Sequence, residues 1–208
     1  MGAGAGATEH LSSADPVIGR LVAAHGELDE EARSRGRPAE AYGALLRSIV
    51  GQQLSTKAAR TIYGRLADLY GGRAPTPEQL LATDPDELRA VGLSRAKAAY
   101  LRSLAQHVLS GELGLDRLTE LSDAEVSAQL TAVKGLGQWT ADMFLIFHLG
   151  RPDVLPVGDL GIRRAVRIAY GLDELPNARR LAEIAEPWRP YRSLACLYLW
   201  RSLDNAPV

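Results

Sequence analysis

Asp159 stands where the loop Val154-Leu-Pro-Val-Gly158 gives way to an apolar-periodic run, Leu160–Tyr170, that reads as a helix. A carboxylate there has two possible uses. It can cap the helix by accepting N–H bonds from the first turn. It can also be a fixed negative charge beside a reacting centre, stabilising positive charge as it develops and orienting or deprotonating a water. Upstream, Leu130-Thr-Ala-Val-Lys-Gly-Leu-Gly-Gln-Trp-Thr-Ala-Asp142 joins two helical stretches through Gly135-Leu136-Gly137. Two glycines at i, i+2 let backbone N–H groups approach an anion with no Cβ in the way. The next helix, with Thr140 in its first turn, adds open amides and a positive dipole end. Such a turn grips phosphate without reading a base. A plain helix–helix turn uses glycine equally well.

Other chemistries find no footing. His10, His25, His107 and His148 have no metal-ligand spacing. The single cysteine, Cys196, excludes an intramolecular disulfide and a multi-cysteine metal or iron–sulfur site. Ser94-Arg-Ala-Lys97 fits a Ser-x-x-Lys pattern but lacks its companion motifs.

These residues need elements to hold them, and the spacing predicts helices throughout. Apolar periodicity marks Pro16–His25, Pro38–Val50 and Thr56–Tyr70, the last behind Ser55 as N-cap and with Ala58, Ile62, Leu66 and Leu69 on one face. Pro77–Ala82 and Pro85–Val91 open on proline near the first turn. Ser94–Leu109 follows, then Ser122–Val133, whose Ser122 and Glu125 form a capping-box pattern. Gly137–Leu149, Leu160–Tyr170, Asn177–Ala185 and Tyr191–Leu203 complete an all-α fold. Only Val154–Val157 is a candidate for extended chain. Residues 1–14, beginning Met-Gly-Ala-Gly-Ala-Gly-Ala, read as a disordered tail.

The bulk numbers are those of a globular chain: 208 residues, 46% hydrophobic and 24% charged. No run approaches the roughly 18–20 apolar residues of a membrane span, and no signal peptide opens the chain, so the expected compartment is the cytoplasm. Net charge is −1. Residues 1–43 carry 4 Arg/Lys against 7 Asp/Glu, and the rest 20 against 18, so the body is weakly basic.

The span from the hairpin to Val154-Leu-Pro-Val-Gly-Asp-Leu-Gly-Ile-Arg-Arg164 resembles the helix-hairpin-helix DNA glycosylases, above all the 3-methyladenine DNA glycosylase II family of AlkA type. The likeness extends to Ser48-Ile-Val-Gly-Gln-Gln-Leu-Ser-Thr-Lys-Ala58, Val91-Gly-Leu-Ser-Arg-Ala-Lys-Ala98, Trp188-Arg-Pro-Tyr-Arg-Ser193 and Leu197-Tyr-Leu-Trp200. The extra N-terminal domain of the largest members has no counterpart here. The resemblance implies two lobes, about 56–150 and 15–55 plus 151–208, with the active site in a cleft between them.

It also implies that Asp159 is the catalytic carboxylate. Trp139 sits where lyase-competent relatives carry a Schiff-base lysine, so water becomes the nucleophile and no lyase step follows. Trp139 and Trp200 match walls of the family's base pocket, and Phe144 belongs with this set or with the core. Gln53 falls at the wedge position that fills the gap left by a flipped base, where an apolar residue is typical, and Leu54 is the other contender. Ser55, like the hairpin residues Gly135, Leu136, Gly137 and Thr140, is a candidate DNA contact. Carbonyls of Thr131, Val133 and Leu136 are implied ligands of a structural Na⁺ or K⁺, with no other cofactor. Val91–Lys97 looks like a degenerate second hairpin with a structural role.

The expected function is hydrolytic removal of 3-methyladenine and 7-methylguanine from double-stranded DNA by a monomer. A glycosylase for deaminated or oxidised bases, and a non-catalytic DNA-docking module, are the alternatives.

Overall fold

The computed structural model describes residues 3–26, 28 and 40–203, and among them every regular element is a helix. Val154–Val157 forms no strand. Helix starts follow side-chain chemistry. Ser55, Ser94, Asp159 and Asn177 each accept an N–H from the first turn of their helices. Thr76 with Gln79, and Ser122 with Glu125, close full capping boxes. The helix expected over Pro38–Val50 is Ala41–Gly51, and Pro38 lies outside the described residues.

Two compact units emerge. One draws on Met1–Arg35 and Leu145–Val208, the other on Gly36–Phe144. The boundaries differ from the expected ones at residues 36–55, which fall in the middle unit, and at 145–150, which fall in the other. The helix Ala41–Gly51 packs on Thr56–Asp68 and on Arg95–Leu109, burying Leu45, Leu46, Ile49 and Val50. Its apolar face therefore belongs to the middle unit.

The second correction concerns the N-terminus. Residues 3–14 form the helix Ala3–Ala14, packed on Pro16–His25 and on the 3₁₀ turn Glu186–Trp188. Leu11 is wholly buried. Alternating Gly and Ala is weak helix sequence, and burial of one face overrides it. At the junction, Asp15 accepts bonds from the amides of Val17 and Ile18, from the Tyr170 hydroxyl at 2.5 Å and from Trp188 Nε1 at 2.9 Å. One buried carboxylate thus ties the start of its own helix to Tyr170 and Trp188, late in the chain.

In the middle unit, Pro77–Ala82 and Pro85–Ala90 pack on Arg95–Leu109. Arg102 donates to the Leu81 carbonyl at 2.9 Å, and the hydroxyls of Tyr70 and Thr83 meet at 2.6 Å.

Candidate active site

Asp159 caps the helix Leu160–Ala169 from an extended backbone conformation, with Oδ1 accepting the Ile162 N–H at 2.7 Å. It is 8% exposed. The same Oδ1 accepts Trp200 Nε1–H at 3.0 Å. Two donors from two helices thus converge on one oxygen and fix the plane of the carboxylate. Each bond to a charged acceptor contributes about 1.5–3 kcal/mol. Capping and a catalytic role, alternatives on the sequence, are compatible in one residue here.

Gly161 makes this possible. A Cβ there would lie 3.0 Å from Asp159 Oδ1 and 3.3 Å from both Cδ1 and Nε1 of Trp200. A side chain would crowd the indole from the carboxylate. Glycine early in a helix is costly without cause, so Gly161 is the signal in the sequence that marks this contact.

The loop before Asp159 is clamped by the start of the helix that carries Trp200, Arg192–Ser202. Ser193 Oγ accepts the Val154 N–H and donates to the Arg151 carbonyl, at 2.9 and 2.7 Å. Arg192 Nε meets Asp153 Oδ1 at 2.6 Å, and Arg189 Nη1 meets Oδ2 at 2.7 Å. One helix therefore positions Asp159 twice, through the loop and through the indole.

Trp200 corrects the sequence reading. It is 2% exposed and stacked on Phe147, ring centres 5.5 Å apart, so in this unit it orients Asp159 and presents no open wall. Phe144 is likewise buried core. Trp139 is 43% exposed, as a stacking surface needs.

In the middle unit the hairpin follows Asp123–Ala132 and leads into Gln138–Phe147. Its two glycines differ. Gly135 has φ +94°, and a Cβ there would fall 2.2 Å from Tyr100 Cγ, so both backbone and packing demand glycine. At Gly137 a Cβ would meet nothing within 4 Å. Nothing in the described fold requires that glycine, which leaves room for something outside the chain. The Thr140 and Leu136 side chains are buried, so a DNA contact at either residue falls to its backbone.

The loop Gln52–Ser55 presents exposed Gln53, Leu54 and Ser55. Gln53 has φ +58°, a left-handed conformation uncommon for a residue with a side chain. Ser55 Oγ accepts the Ala58 N–H as an N-cap. Behind the loop, Lys97 Nζ donates to the carbonyls of Val50 and Gln52, and Gln52 Nε2 donates to the Gly135 carbonyl. Burial lowers the Lys97 ammonium below the usual lysine range.

The chain is similar to known proteins over almost its whole length. The chain is 37% identical over 195 residues to DNA-3-methyladenine glycosylase 1 of Schizosaccharomyces pombe, covering 93% of this chain and 85% of that protein. The structure of the S. pombe 3-methyladenine DNA glycosylase in complex with abasic DNA superposes with TM-score 0.84 and 35% identity, over 95% of this chain and 96% of that one. A DNA-3-methyladenine glycosidase from Bacillus halodurans matches with TM-score 0.83 and 39% identity, over 94% and 88%. Residues 46–190 match the family described as HhH-GPD superfamily base excision DNA repair protein. With its glycine hairpin and its doubly anchored, helix-capping aspartate, the chain belongs to the HhH-GPD superfamily of base excision DNA repair proteins.

Proposed function

We propose that this chain is a monofunctional DNA glycosylase. It hydrolyses the N-glycosidic bond of alkylated bases, chiefly 3-methyladenine and 7-methylguanine, in double-stranded DNA, and acts as a monomer in the cytoplasm. The observation that carries the reading is Asp159, a buried carboxylate with Oδ1 held by Ile162 N–H and Trp200 Nε1–H. The names of its relatives, DNA-3-methyladenine glycosylases in yeast and bacteria, support the substrate class.

A cationic alkylpurine departs as a neutral base, leaving positive charge on the sugar. Asp159 stabilises that charge and orients the attacking water, whose oxygen bonds to the sugar carbon as its proton passes to the Asp159 carboxylate and on to solvent. Held by its donors, the carboxylate needs no reorganisation as charge develops. Exposed Trp139 is a stacking surface for the extruded base, worth about 1–3 kcal/mol. Its indole cannot form an imine, so the products are a free base and an abasic site.

Backbone amides of the hairpin turn and of the first turn after it would hold phosphate. The carbonyls of Thr131, Val133 and Leu136 suit a Na⁺ or K⁺, being neutral donors where a helix ends. The Val133 carbonyl accepts the Leu136 N–H at 3.0 Å and keeps its second lone pair. A bound cation would supply positive charge for phosphate.

The test is release of 7-methylguanine and formation of abasic sites in methylated duplex DNA. Asp159→Asn should bind DNA normally and lower single-turnover excision by roughly 10²–10⁴. Near-normal turnover by that variant would remove Asp159 from the chemistry. Borohydride should trap no covalent complex.

A further inference from the structure

The first turns of the helix Arg95–Leu109 touch both elements that this reading sets against DNA. Lys97 Nζ donates to the Val50 carbonyl at 2.7 Å and the Gln52 carbonyl at 2.6 Å. Those carbonyls lie where the helix Ala41–Gly51 ends, at its negative pole and among its last acceptors. Three residues on, Tyr100 packs against the hairpin so closely that only a glycine fits at 135. Between the two, Gln52 Nε2 reaches the Gly135 carbonyl at 2.8 Å. Wedge loop, hairpin and helix are thus joined by three hydrogen bonds and one ring contact, all within the unit Gly36–Phe144.

We propose that this turn is a common seat that fixes the spacing between the loop Gln52–Ser55 and the hairpin, with Lys97 as a positioning residue for nucleotide extrusion. The proposal rests on the glycosylase reading above. Extrusion needs a loop that enters the base stack without yielding while the hairpin holds the backbone. The tip residue Gln53 is left-handed, and a side-chain-bearing residue keeps that conformation only where its surroundings over-determine it. Lys97 and Gln52 supply that determination from beneath. The seat also gives the Ser94-Arg-Ala-Lys97 stretch its purpose: Ser94 caps the helix through the Lys97 N–H, and the lysine side chain supports the loop.

The test compares one lesion in two settings. Single-turnover excision of 7-methylguanine is measured in a duplex where it is base-paired, and in the same duplex with the lesion inside a short unpaired bubble. Unpaired nucleotides need little work to extrude. Lys97→Met keeps the stem and loses the donors. It should slow excision of the paired lesion about tenfold or more and of the bubble lesion by no more than about twofold. Gln52→Leu should shift the ratio in the same direction. An unfolded fraction would lower both rates alike, so the ratio reads positioning and not stability. Equal losses on the two substrates, or wild-type rates on both, would overturn the proposal and leave the glycosylase reading intact. No excision of either substrate by the wild-type protein would end both.

Discussion

At Gly161 the room of a single methyl group separates a working carboxylate from a crowded one. Its backbone is not among the left-handed glycines, so Gly161→Ala strains nothing in the main chain. The new Cβ instead presses on Asp159 Oδ1 and on the Trp200 indole, at 3.0 and 3.3 Å. We expect this variant to lose about tenfold in single-turnover excision, since misplacing a preorganised charge weakens transition-state stabilisation more than binding. Affinity for an abasic duplex should hold. Trp200→Phe removes the donor while keeping an aromatic ring for the stack on Phe147, and should do comparable harm. Because both changes break the same contact, the double variant should be little worse than either alone. Fully additive losses in that cycle would mean that Gly161 acts by another route.

The hairpin is an element whose two glycines answer to different masters. Gly135 serves the fold, through its positive φ and the Tyr100 ring. Gly135→Ala should lower stability by more than about 2 kcal/mol, from backbone strain and overpacking together. Gly137 has open space where its Cβ would be. Gly137→Ala should therefore melt with the wild-type protein and bind duplex DNA roughly five- to tenfold more weakly, as a blocked amide contact would require. Thermal melts and fluorescence anisotropy on the two variants check this pair. A Gly137 variant with unchanged affinity would place the phosphate elsewhere.

Across the whole molecule, charge sets two behaviours. With a net charge of −1, DNA affinity should depend only modestly on salt, with a slope of log affinity against log salt shallower than about −6. A steeper slope, in a titration over salt concentration, would imply more phosphate neutralisations than an amide-centred grip makes. Stability carries a signature at Asp15. Burial opposes its ionisation, but bonds from Tyr170, Trp188 and the amides of Val17 and Ile18 outweigh burial and hold its pKa below the ordinary carboxylate value. A depressed folded-state pKa gives stability that is complete above the unfolded value of about 3.9 and fades as pH falls through the folded one. Asp15→Asn should then be less stable at pH 7 by about 1–3 kcal/mol. The gap should narrow below about pH 4. Urea melts at several pH values test it, and a gap independent of pH would count against Asp15 as the titrating group.

Local chemistry was legible in the chain. Helix caps at Ser55, Ser122 and Asp159 depend on residues within one turn, so spacing alone located them. The same holds for the glycine hairpin and for a carboxylate at a helix start. The motifs together, in their order, carried the family. Spacing could not show contacts between residues far apart in the chain. Trp200 looked like a pocket wall because a sequence shows the ring and not the partner of its N–H, 41 residues away. The Gly-Ala tail looked disordered because propensity is local, while Leu11 becomes helical by burial against elements elsewhere in the chain. Lys97 lies in a Ser-x-x-Lys pattern without companions, and its purpose shows only where its ammonium meets carbonyls 45 and 47 residues upstream. Sequence determined the elements and the carboxylate at a helix start, because both are encoded within a helical turn. Only the tertiary structure decided what holds that group still, because hydrogen bonds and packing join atoms by distance in space and not by position along the chain.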